Sequence, residues 1–171
     1  MKLDTLHDLF VLEIQDLYDA ENQIIQAMPQ LMDVVTSNTL KEGIQNHLDQ
    51  TREQIKRLEK ICQELDIEPN GKTCVGMEGI IEEGIELLQE AVPSPTLDAA
   101  LIAALQKVEH YEISGYGTTA AYAKQMGHTK ALDLLHTTLE EEKDEDAALS
   151  KLAEGIINKE AYASQQGKYA M

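Results

Sequence analysis

The stretch FVLEIQDLYDAENQIIQAM, from Phe10 to Met28, decides the fold. Phe10, Ile14, Leu17, Ile24 and Met28 recur at the three- and four-residue spacing that lines one face of an α-helix. Glu21 sits in the slot between Leu17 and Ile24, where a water-soluble bundle would place another leucine. A carboxylate on that stripe is costly unless something binds it.

Three more segments repeat the pattern. Ile44, Leu48, Ile55, Leu58, Ile61 and Leu65 form a second stripe, with His47, Gln50, Thr51 and Gln54 in its middle. Leu101, Leu105, Val108, Gly115 and Thr119 form a third, interrupted by Glu112. Leu132, Leu135, Leu139, Leu149, Ala153 and Ile156 form a fourth, interrupted by Glu142 and Asp146. One acid on such a stripe reads most simply as a side chain reaching past the edge of the core. Acids on separate stripes at one depth need another reason.

Depth follows from the turns. The cluster Thr36-Ser37-Asn38 reverses the chain, with Thr39 and Glu42 as a capping box, and Gly127 is a left-handed cap before Thr129 starts the last helix. Glu21 lies 16 residues before Ser37 and Gln50 13 after it, while Glu112 lies 16 before His128 and Glu142 14 after it. At ~1.5 Å per residue these offsets differ by a few ångström. Two hairpins packed face to face therefore bring Glu21, Glu112, Glu142 and the polar middle of the second helix to one level. Carboxylates gathered in a buried site repel one another and lose hydration, which either protons or a bound cation relieves. Carboxylates bridge two hard cations, so the pattern points to a pair of divalent or trivalent metal ions.

The spacing predicts helices from about Thr5 to Val35, kinked between Ile25 and Pro29, from Leu40 to Asp66, from Leu97 to Met126, and from Lys130 to about Ala163. Between the second and third lies a connector, residues 67–96, with a turn at Pro69-Asn70-Gly71, a short helix from Met77 to Glu90, and a stop at Pro93-Ser94-Pro95. Two short hairpin loops and one long crossover give an all-α, ferritin-like four-helix bundle rather than an up-and-down bundle. It forms one domain over residues 1–165, with 166–171 a fraying tail.

Composition narrows the function. Apolar residues make up 43% of the 171, aromatic residues 4%, and Trp is absent, which suits a core of Leu, Ile, Ala and Met. The net charge of −17, from 31 acidic and 14 basic residues, argues against nucleic acid as a partner. The longest apolar run, Ala99 to Leu105, is far below the ~20 residues that span a bilayer, and the first residues lack the pattern of a secretion signal, so a cytoplasmic protein without a membrane partner is expected. Cys62 and Cys74 lack metal-ligand spacing and read as reduced thiols.

The strings LYDAENQ (17–23), HLDQT (47–51), MEGIIEE (77–83), ALIAA (100–104), VEHYEI (108–113) and LEEEK (139–143) resemble the YciE/YciF family of ferritin-like proteins, in order, from about Leu6 to Ala153. The resemblance implies a rubrerythrin-like di-iron bundle that forms homodimers and serves bacterial stress responses. It implies ligands at Glu21, Glu109, Glu112 and Glu142, with Asp146 where a His is common. It also implies a Glu at Gln50 and, in some members, a His at Gln54, so His47 becomes the best-placed compensating ligand. Two functions follow as expectations. One is a metal centre that turns over dioxygen or peroxide; the other is a non-enzymatic dimeric stress or interaction protein with a degenerate or partly occupied site. His110 should face away from Glu112, and Tyr111, Tyr116 and Tyr122 should serve packing.

Overall fold

A computed structural model describes residues 3–169, with the side chains of 90 and 165–169 left aside. Its order is α1 (Leu6–Met32), α2 (Asn38–Leu65), α3 (Val75–Glu90), α4 (Pro95–Met126), α5 (Thr129–Leu152), a π-helical turn (Ala153–Ile157) and α6 (Asn158–Tyr169). The tail expected to fray continues as helix to Tyr169, and 170–171 lie outside the described residues.

Local chemistry sets the ends. At α1, Thr5 Oγ1 accepts from the Asp8 amide and the Asp8 carboxylate accepts from the Thr5 amide, a reciprocal capping box. The helix runs through Pro29 unbroken, although proline leaves the Ile25 carbonyl without its usual donor. The start of α2 corrects the expectation of a Thr39–Glu42 box: Ser37 is the cap, its hydroxyl accepting from the Leu40 amide. Pro95, expected to end the connector helix, opens α4 at a position where no N–H is needed, with Ser94 as cap. Gly127 has φ 76° and closes α4 as anticipated.

The four long helices pair as α1 with α2 and α4 with α5, and α3 lies in the crossover against α1 and α4. The buried apolar residues fall into two clusters. One joins Ala20 to Met28, Leu40 to Leu48, Leu97 to Val108 and Leu149. The other joins Phe10 to Leu17, Leu58 to Cys62, Tyr116 to Ala123 and Leu135. The starts of α2 and α4 thus share one end of the bundle, so these helices run parallel, as the ferritin-like crossover requires. Between the clusters lies a buried polar layer that includes Glu21, His47, Thr51, Gln54, Glu109, Glu112, Thr138 and Glu142.

Close approach across the bundle depends on Gly115, where a Cβ would stand 2.8 Å from Leu17 Cδ2. The two hairpins are tied by Asp98, which is 1% exposed. Its carboxylate accepts from the amides of Thr36 and Ser37 at 2.9 Å each and from the Thr36 hydroxyl at 2.6 Å. Cys62 and Cys74 are free and buried, and among the described residues no helix is long and apolar enough to cross a membrane.

Asp98→Ala leaves three donors of the α1–α2 turn unsatisfied and is expected to lower stability by about 3 kcal/mol, read as a reduced urea midpoint at unchanged slope.

Candidate metal centre

Each member of the polar layer is delivered by a regular helix, so its position is set by packing rather than by a loop. Glu21 comes from α1; His47, Thr51 and Gln54 from α2; Glu109, Glu112 and Tyr116 from α4; Glu142 from α5. His47, Glu109, Glu112 and Glu142 each offer one ligand atom within 4.8 Å of those of the others. His47 Nδ1 lies 3.0 Å from Glu109 Oε1, and its Nε2 lies 4.0 Å from Glu112 Oε2. Glu21, Glu109 and Glu112 are fully buried, and Glu142 is 1% exposed.

No hydrogen-bond donor of the chain satisfies either oxygen of Glu109 or of Glu112, nor Oε2 of Glu21, and His47 Nε2 is unpartnered as well. Buried polar atoms without partners are rare in folded proteins. The carboxyls compensate by holding protons. Burial, reinforced by the neighbouring Glu142, pushes Glu21 up to about 8. Burial pushes Glu109 up to about 8 as well. Glu112 is driven well above the usual carboxylate range by burial and by Glu142, Glu21 and Glu109 in turn. Glu142 is raised likewise, by burial and then by Glu109. Arg57 stops at Thr138 and Glu141 on the layer's edge, and among the described residues no Lys or Arg pairs with Glu21, Glu109, Glu112 or Glu142, so a bound cation is a species that would satisfy them.

The donors also suit such an ion. Carboxylate oxygens and an imidazole nitrogen, held by separate helices, form the set that iron, manganese and zinc accept.

Two residues expected in the layer stand outside it. Gln50 is half-buried, because the buried face of α2 passes through His47, Thr51, Gln54 and Leu58 and leaves position 50 about 100° round the helix from Thr51. Asp146 is turned to the flank of α5, where it accepts from Gln106 Nε2 at 2.9 Å and lies 3.5 Å from Nε2 of the exposed His110. The inward path of α5 from Glu142 to Leu149 runs between positions 145 and 146, so each falls to one side.

Tyr116 and Glu145 join the layer without having been assigned a place there, and Gln54, placed there by its stripe, gains a definite partner. Tyr116, one turn beyond Glu112, is buried and donates its phenol to Glu21 Oε1, so it does more than pack. Its spacing from Glu112 carried that signal. Gln54 donates to Glu142 Oε1 and, at 3.2 Å, to Glu141 Oε2. Glu145, three residues after Glu142, is half-buried with its carboxyl raised by burial and partly offset by His47. Outside these, Arg57 grips Glu141 through both guanidinium nitrogens at 2.5 and 2.7 Å and closes the α2–α5 seam.

Residues 5–162 match the family described as a domain of unknown function, DUF892. The chain belongs to the DUF892 family. A DUF892-type relative, protein YciF of Escherichia coli strain K12, is 41% identical over 162 residues, 94% of this chain and 98% of its own. The crystal structure of the E. coli stress protein YciF superposes with a TM-score of 0.86, covering 91% of this chain and 99% of that one. YcfI of Rhodopseudomonas palustris gives 0.84 at 38% identity, over 87% of this chain and 95% of its own. A Xanthomonas campestris protein shares the fold at 16% identity and a TM-score of 0.76. The DUF892 assignment thus agrees with the resemblance read from the sequence strings and with the crossover topology.

The raised carboxyls set a pH dependence. A group protonated in the folded state but ionised when unfolded costs stability as pH climbs from its unfolded value, 4.5, to its folded one, about 8. Metal-free protein is therefore expected to be most stable near pH 5 and to lose about 5 °C or more of Tm by pH 8. Glu112→Gln, neutral throughout, should reduce that loss; an unchanged melting profile would contradict the protonated layer.

Proposed function

We propose that this protein is a ferritin-like metal protein whose carboxylate layer binds two transition-metal ions, iron or manganese, and reacts with a small oxidant, dioxygen or peroxide, in a stress-related role. The observation that carries this reading is the set of buried, unpartnered oxygens on Glu109 and Glu112. His47, Glu109, Glu112 and Glu142 would hold one position, and Glu21 with Glu112 would supply the neighbouring one. A metal pair bound there supplies one-electron redox chemistry toward dioxygen or peroxide.

The chain's own groups have definite parts in this. Glu21, Glu109, Glu112 and Glu142 give up their protons when a cation enters, so binding is coupled to pH. Tyr116 fixes one oxygen of Glu21 and leaves the other free. The two apolar clusters above and below exclude bulk water, which strengthens every charge interaction in the layer. The stress role draws support from the description of E. coli YciF as a stress protein.

A second reading has its own support. Gln54 occupies an oxygen of Glu142 with a neutral donor, and Gln50 stands off the layer. That arrangement favours one firmly held ion and a partly occupied centre in a non-enzymatic stress or interaction protein. On both readings the protein is a cytoplasmic homodimer.

Elemental analysis of purified, metal-refilled protein separates them. The leading reading expects about two equivalents of iron or manganese per chain, dropping below about one in Glu112→Gln. About one equivalent, rising to two in Gln54→His, would favour the second. Less than about half an equivalent of any transition metal would overturn both. Sedimentation of the refilled protein at twice the chain mass is expected.

A further inference from the structure

Beside the acid layer, between α1, α3 and α4, lies an apolar pocket of about 40 Å³, partly open to solvent, whose lining includes Ile24, Met28, Ile81, Gly84, Leu105 and Val108, all without side-chain polar groups that could hold water. Its inner wall is continuous with the acid layer through the helix repeat. Ile24 is one turn from Glu21, Leu105 one turn from Glu109, and Val108 one turn from Glu112, so the same helix faces carry the apolar wall and the carboxylates. The outer wall is α3, the helix carried by the crossover.

Size and chemistry limit the occupant. A volume of about 40 Å³ gives room for roughly three water-sized bodies at ~10–15 Å³ each. Water in such a space would lack the two or more polar partners that hold it, so the cavity favours an uncharged apolar molecule of a few atoms. An acyl chain is too long, and hydrogen peroxide would lose hydrogen bonds to water on entering.

We infer that this cavity is a binding site for dioxygen or a gas of like size and polarity, placed to feed the acid layer from the α3 side. The inference rests on the proposed reaction with a small oxidant for its purpose, though not for the site itself. It makes the crossover helix a functional wall, since Ile80, Ile81, Gly84, Ile85 and Leu88 of α3 form one side of the pocket.

Xenon is the probe, because it fills dry apolar cavities without chemistry. Xenon-pressurised crystals, or the xenon-129 shift in solution, should place the atom between Ile24, Gly84 and Leu105 in metal-free protein. Ala104→Leu, which grows a side chain into the cavity from α4, should abolish that signal with the fold retained by circular dichroism. In iron-loaded protein the readout is ferrous oxidation, in which two ferrous ions would give one electron each, converting dioxygen with two protons to hydrogen peroxide, or hydrogen peroxide with two protons to two waters. The same variant should slow oxidation by dioxygen about tenfold and leave oxidation by hydrogen peroxide within about twofold. Absence of xenon from the unaltered protein would overturn the site. Xenon binding with dioxygen oxidation unaffected by Ala104→Leu would overturn its role in supply. Should the protein hold no metal, the xenon result would still decide the site, so failure of the functional reading and failure of this one are distinguishable. If Ala104→Leu does not fold, Ala27→Leu fills the space from α1.

Discussion

The structure turns on one constraint: several carboxyl groups lie in the middle of a bundle interior, where charge is poorly tolerated and no lysine or arginine reaches them among the described residues. An isolated carboxylate in such surroundings loses far more hydration than any neutral neighbour returns, so the groups hold protons, share them in pairs, or give them up to a cation. Glu21, Glu109, Glu112 and Glu142, all raised by burial, display the protonated solution. Stripped of protons, Glu109, Glu112 and Glu142 together with His47 form a group that could hold a metal ion. Much of the local architecture makes sense as provision for both states: Tyr116 and Gln54 each restrain one carboxyl oxygen, and His47 adds the lone nitrogen donor.

Architecture was legible in the sequence where a single helix sufficed to express it. The stripes in α1, α2, α4 and α5, the glycine cap at 127 and the long crossover all follow from three- and four-residue spacing and turn chemistry. Glu21, Glu112 and Glu142 stood out because acids interrupt those stripes, Glu109 through the family resemblance, and His47 because its spacing keeps it on the buried side. What escaped was rotation. A depth count from the turn places Gln50 at the right height but says nothing about azimuth, and one residue of helix is about 100°. The same ambiguity made Asp146 look inward when the inward path passes between it and Glu145.

Polar partners of the ligands were harder still. Gln54 and Tyr116 touch carboxylates on other helices, at contacts separated by 88 and 95 residues in the chain. No local pattern reports such a pairing. The correction at the start of α2 has a related cause, since Ser37 and Thr39 both begin plausible caps and the choice is made by how the α1–α2 turn is anchored on Asp98.

The division of the interior into two greasy halves by a polar slab bears on how the hairpins find their alignment. Each half draws on α1, α2, α4 and α5, so a lone hairpin presents an incomplete surface at both ends. Sliding one hairpin along the other by a helical turn, ~5.4 Å, would set isoleucine and leucine against bare carboxyls and strand the polar slab in hydrocarbon. The slab thereby works as a keyway: among the many registers that four leucine-rich rods could adopt, it penalises all but the one in which acid meets acid.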